Sequence, residues 1–127
     1  GLADRCTLMP AEAPADAALP DPADLVLVSA ALRHLDTGAA RSLLRTAAGA
    51  VRPGGALCAV GRFLDPRRTT PAATALDALG HLVHDGAGAG FSETELASWL
   101  QEDGLAEVHL HHLTQLARLV KGTRAAC

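Results

Sequence analysis

The sequence predicts an α/β layer fold: parallel strands buried in a sheet, helices on both faces, and a terminal antiparallel strand pair. Three observations carry that reading. Leu25-Val26-Leu27-Val28 and Ala56–Val60 are continuous apolar runs, the pattern of strands covered on both faces of a parallel sheet. Between them, Ala39, Ala40, Leu43, Leu44, Ala47, Ala48 and Val51 fall on one face at helical spacing. Glu107–Leu113 and Gln115–Val120 alternate in polarity, as a hairpin pair does. A strand-helix-strand rhythm of this kind implies layers joined by right-handed crossovers.

The elements follow in order. Cys6–Met9 reads as a short strand, and the Ala-, Pro- and Asp-rich stretch Ala11–Pro22 as a loop. After the first buried strand, Asp36 or Thr37 caps a helix that ends before Arg52-Pro53-Gly54-Gly55, read as a turn. The second buried strand leads into the loop Asp65–Pro71, with Arg67 and Arg68 exposed. A helix over Thr74–His84 turns Leu76, Leu79, Leu82 and Val83 inward. Ser92-x-x-Glu95 is a capping box that opens a third helix, which closes near Gly104.

Composition bounds the function. A chain of 127 residues is one domain at most, over 1–127, able to bury roughly two-thirds of its unfolded surface. Aromatic residues make up 2% and Tyr is absent, which argues against a base-stacking nucleic-acid platform. A net charge of −3 with no basic stripe argues against a phosphate-tracking surface. No apolar run approaches the roughly 20 residues of a membrane span, and no charged-then-apolar leader opens the chain. Cys6, Cys58 and Cys127 are odd in number and widely spaced, as reduced thiols of a cytoplasmic protein are. The first residue is Gly1 and not Met, which reads as a processed, tagged or partial chain.

Several clusters suggest chemistry, and each also has a plainer reading. Gly86-Ala87-Gly88-Ala89-Gly90 imitates a cofactor loop. It follows a helical pattern rather than a strand, and no acid ends Glu107–Leu113, so a loop over a pocket is the better reading. His109-x-His111-His112 has no Cys or acid to complete a metal site and reads as a solvated face; no metal is expected. Ser29 is a polar interruption of an apolar run, either a core hydroxyl or a ligand contact. Arg33 sits at the C-terminal end of a buried strand, where open α/β sheets bind ligands.

The ordered series from Asp24 to Phe63 resembles the C-terminal half of class I, S-adenosylmethionine-dependent O-methyltransferases of small-molecule and polyketide-type metabolism. The matching pieces are the buried strand, Arg33-His34-Leu35-Asp36, the helix to Val51, and Arg52-Pro53-Gly54-Gly55. Met9-Pro10-Ala11-Glu12-Ala13 resembles the segment that precedes them in that family, and Leu76–Leu100 resembles its later helix, glycine loop and capped helix. The resemblance implies a Rossmann-like methyltransferase sheet and S-adenosylmethionine as methyl donor. It implies methyl transfer to a hydroxyl of a small aromatic or polyketide-type acceptor. Glu12, Ala13 and Ser29 would face the cofactor, Arg33 and His34 would stand at the catalytic position, and Asp77 and His81 would line the acceptor side. Two departures stand out. Arg33 occupies the position of the family's catalytic His, and a guanidinium cannot take a proton from a hydroxyl. Ala13 stands where an aromatic often packs on adenine. The family's glycine-rich cofactor loop lies upstream of this region. The resemblance therefore implies a partner chain supplying that half, or a homo-oligomer. Enzyme activity is left open between an O-methyltransferase, a related enzyme with changed chemistry, and a non-catalytic subunit.

Overall fold

The computed structural model describes residues 1–11, 19, 22–86 and 90–126. Glu12 and Ala13 lie outside the described residues. The chain forms β1 (Ala23–Ser29), α1 (Thr37–Gly49), β2 (Val51–Gly61), α2 (Ala72–Asp85), α3 (Glu93–Glu102), β3 (Ala106–His112) and β4 (Arg118–Thr123), with short 3-10 turns at Ala3–Arg5 and Leu32–His34. The four strands make one sheet in the order β1-β2-β4-β3. β1 and β2 are parallel, and β4 runs antiparallel to both β2 and β3. The α/β sheet with a terminal antiparallel pair is the architecture expected from the apolar runs and the alternating tail.

The local causes are visible residue by residue. The Asp36 side chain accepts from the Ala39 N–H at 2.7 Å and starts α1. Its inward stripe of Ala40, Leu44, Ala47 and Ala48 is buried against Leu57, Ala59 and Val28 of the sheet. The capping box at Ser92 is fully formed, with Ser92 Oγ accepting from the Glu95 N–H and Glu95 accepting from the Ser92 N–H. Leu96 and Leu100 of α3 are then buried in the same core. Arg41 locks the two helices together. It donates to Asp103 at 2.9 Å and Glu102 at 2.5 Å, and lies 5.6 Å from the Trp99 ring centroid.

Several expectations are corrected. Cys6–Met9 is not a strand: among the described residues no strand lies beside it, and a strand needs a partner for its backbone groups. Arg52-Pro53-Gly54-Gly55 is not a turn between elements. It is an excursion within β2, opposite Asp24, between the pairs Ala23↔Val51 and Leu25↔Ala56. Gly54 adopts a φ of +80°, and a Cβ on Gly55 would come within 2.8 Å of the Asp24 carbonyl oxygen. Asp24 forms an ion pair with Arg52 across the same gap. The terminal hairpin turns later than the alternation implies: Thr114 Oγ1 accepts from Leu116 and Ala117 N–H groups, drawing 115–117 into the loop.

Burial gives two further corrections. β1 is covered on one face only: Val28 is buried, while Leu25 and Leu27 are 58% and 60% exposed. α2 is turned the opposite way from the expectation. Leu76 and Val83 are 68% and 71% exposed, with Leu79 and Leu82 also exposed, while its polar face points into the molecule.

Candidate functional site

A cleft of about 190 Å³ opens where β1 and β2 end, beside α2. Each wall has a local origin. β1 leaves the sheet through Ala30, a left-handed residue at φ 56° whose N–H still reaches the Val60 carbonyl at 3.0 Å. The chain then enters the 3-10 turn Leu32–His34, whose Leu32 is buried as an anchor. With Leu32 anchored, Arg33 reaches the cleft. β2 contributes Val60 and Gly61, followed by the buried ring of Phe63. A Cβ on Gly61 would meet the Phe63 ring at 3.1 Å, so the ring lies close over this backbone. The segment after α2 returns through Gly90, at φ +64° and so close to α2 that a Cβ would lie 2.8 Å from that of Ala78. Phe91 follows, and its carbonyl accepts from the Leu64 N–H at 2.9 Å.

α2 presents Thr74, Asp77, Ala78 and His81 to the cleft, the i, i+3, i+4, i+7 face of the helix. The Arg33 guanidinium donates to His81 Nε2 at 3.0 Å and pairs with Asp77 at 3.5 Å. Because guanidinium only donates, that contact uses the Nε2 lone pair of His81. Asp77 also lies 3.8 Å from His81, one helical turn away. His34 is not in the cleft wall; its ring meets the His81 ring edge-on with centroids 4.9 Å apart. Four residues from two distant segments thus form one cluster.

The remaining candidates are placed as follows. Ser29 is exposed at the end of β1, opposite Val60, and does not line the cleft. His109 and His111 are exposed with ring centroids 6.4 Å apart, and no metal-competent cluster occurs among the described residues. Of the glycine loop, Gly86 ends α2 in a left-handed conformation and Gly90 lines the cleft, while 87–89 lie outside the described residues. Thr74, Phe63 and Phe91 were missed by sequence reasoning. Thr74 was reachable, since it shares the helical spacing of Asp77 and His81; the rings come from loops whose return path no periodicity encodes. Beside the cleft, Asp65 accepts from the Thr70 and Thr69 N–H groups at 2.9 Å each. The Thr70 bond is the main reason its carboxyl is held below the ordinary carboxylate value.

No family profile matches the sequence, and neither does any curated protein. Solved structures do match. An O-methyltransferase family protein from Burkholderia thailandensis is 30% identical, with a TM-score of 0.76 over 84% of this chain and 31% of its own. Mitomycin 7-O-methyltransferase is 31% identical, with a TM-score of 0.76 over 98% of this chain and 35% of its own. Human N-acetylserotonin methyltransferase, solved with S-adenosylmethionine, shares the fold at 22% identity and a TM-score of 0.77, over 88% of this chain and 32% of its own. The chain has the fold of the C-terminal part of class I O-methyltransferases, and it shares sequence with two of these structures as well. It spans about a third of the length of the structures it matches. Among the described residues, no helix is long and apolar enough to cross a membrane.

Proposed function

We propose that the chain forms the acceptor side of an S-adenosylmethionine-dependent O-methyltransferase acting on a small aromatic or polyketide-type hydroxyl, in a cytoplasmic setting. The observation that carries this reading is the joining of Arg33, His81 and Asp77 at the end of β1, within a cleft walled by Phe63 and Phe91. Open α/β sheets bind ligands at that end. The described residues do not by themselves make a cofactor cradle: Ser29 is the one expected contact among them, and it is exposed. When bound, S-adenosylmethionine would supply an electrophilic methyl group, which the acceptor oxygen takes as its proton departs. Arg33 is suited to holding that oxygen by donation, not to removing its proton. An acceptor oxygen that takes the Arg33 donor in place of His81 frees the Nε2 lone pair of His81 to receive the departing proton, while Asp77 holds Arg33. The buried phenylalanine rings keep water from the reacting edge.

The exposed Leu25 and Leu27 on edge strand β1 support a further part of this reading. An unprotected apolar edge recruits another strand. A second polypeptide carrying the glycine-rich loop, or a second copy of this chain, would cover it. Calorimetric titration of this chain alone is expected to show poor binding of S-adenosylmethionine, and micromolar affinity would refute that.

The deciding experiment combines the chain with a polypeptide that carries the cofactor loop, a labelled methyl donor and a panel of phenols. The expected result is a labelled methyl ether, lost in His81→Ala and preserved or increased in Arg33→His, which places a base of near-neutral pKa at that position. Cofactor binding with a different labelled product would favour changed chemistry, the reading that Arg33 itself invites. Absence of cofactor binding in the complex would leave a non-catalytic subunit.

A further inference from the structure

Thr74 lines the cleft, and the proposed transfer does not use its hydroxyl. It is 3% exposed, and its hydroxyl has no hydrogen-bond partner among the described residues. It is the third residue of α2, and its hydroxyl makes no bond to the chain that precedes the helix. Buried hydroxyls without partners are rare, because the group has given up water and gained nothing. Thr74 lines the same cleft as Arg33 and His81. Along the α2 axis it lies seven residues, about 10 Å, from His81.

We propose that Thr74 is the second polar anchor of the acceptor, and that the cleft selects a single aromatic ring carrying oxygen functions at opposite edges. One oxygen sits at the Arg33–His81 end, and the other, a carbonyl or second hydroxyl, bonds the Thr74 hydroxyl. This inference rests on the reading of the cleft as an acceptor site. The size agrees: a cavity of about 150 Å³ holds benzene, and this cleft of about 190 Å³ leaves room for a ring with small substituents. The walls agree as well, since Phe63 and Phe91 add apolar surface to the same cleft. The ligand's oxygen supplies the partner that Thr74 lacks, so binding satisfies a group the free protein leaves unsatisfied.

The test uses NMR titration of the full protein with 4-hydroxyacetophenone and with 4-ethylphenol, which differ in the para carbonyl. The wild type is expected to bind the ketone about tenfold or more tightly over 4-ethylphenol. Thr74→Val erases the preference and Thr74→Ser keeps it. Thr74→Val also melts at a higher temperature, since it replaces an unsatisfied buried hydroxyl by a methyl group of similar size. A retained preference in Thr74→Val, or a lower melting temperature, overturns the proposal; the latter would mean the hydroxyl has a structural partner. Equal binding of both phenols by the wild type overturns the role of Thr74 while leaving the acceptor site standing. Binding of neither at millimolar concentration overturns the acceptor site and this inference together.

Discussion

Helices α2 and α3 are both amphipathic, yet they meet the rest of the molecule in opposite senses. α3 sets Leu96 and Leu100 wholly inside, is closed by a full capping box, and is tied to α1 through Arg41. α2 has no side-chain cap, sends Leu76, Leu79, Leu82 and Val83 outward, and turns Thr74, Asp77 and His81 toward the cleft. The difference is that between an element that makes the core and one that makes a site. A helix lining a polar cleft has to point its polar residues inward, and its apolar stripe then faces away from the domain. That stripe and the exposed Leu25 and Leu27 of β1 are apolar surfaces that the described residues leave uncovered. Surfaces of this kind mark interaction sites or aggregation hazards.

The contrast can be tested, beginning with the largest effect. Leu100→Ala removes a side chain with no exposure and is expected to cost about 2–5 kcal/mol. Leu79→Ala on α2 should cost less than about 0.5 kcal/mol. Urea denaturation of both variants measures the gap. A cost for Leu79→Ala that approaches that of Leu100→Ala would mean the α2 stripe is covered in solution.

The next effect belongs to the α1–α3 clamp. Arg41→Ala leaves the Asp103 carboxylate, only 6% exposed, without its main partner. The expected loss is about 1–3 kcal/mol. Arg45 is a weaker substitute, 3.6 Å from the same carboxylate. Thermal melts of Arg41→Ala and Asp103→Asn would separate the cost of an orphaned charge from that of the missing bond, and equal effects would argue against the orphaned charge.

Ser92→Ala breaks the capping box of α3 and should cost about 1 kcal/mol. Amide hydrogen exchange in the first turn of α3 is expected to rise by a corresponding factor. Exchange in α2, which has no side-chain cap to lose, should not change.

The smallest effect concerns acid. The Asp65 carboxyl binds its proton less readily in the folded chain than in the unfolded one, because Thr70 and Thr69 N–H groups donate to it. Its stabilisation is therefore complete above the ordinary carboxylate value and disappears as pH falls through the lowered folded value. Asp65→Asn should lower the melting temperature slightly at neutral pH and leave it nearly unchanged in strong acid, so the acid side of its pH dependence flattens. An unchanged acid limb in the variant would assign that limb to other carboxylates.

Some of these features belong to the sequence alone. The apolar runs at Leu25–Val28 and Ala56–Val60, the Asp36 cap, the Ser92–Glu95 box and the spacing of α1 are local, because propensity, capping and period act over a few residues. They place β1, α1 and the start of α3 within a residue or two and define the fold class, whereas β2 begins at Val51, five residues before its apolar run. The same period puts Thr74, Asp77 and His81 on one face and Leu76, Leu79 and Val83 on another. It cannot say which face looks inward, since that depends on what lies across from the helix. Only the tertiary structure brings Arg33 from the end of β1 to His81, 48 positions along the chain. Only it shows that Gly55 and Gly90 are small because Asp24 and Ala78 press against them. It also shows that one face of the first apolar strand is exposed. Those outcomes follow from long-range packing, where the neighbour decides what a pattern means.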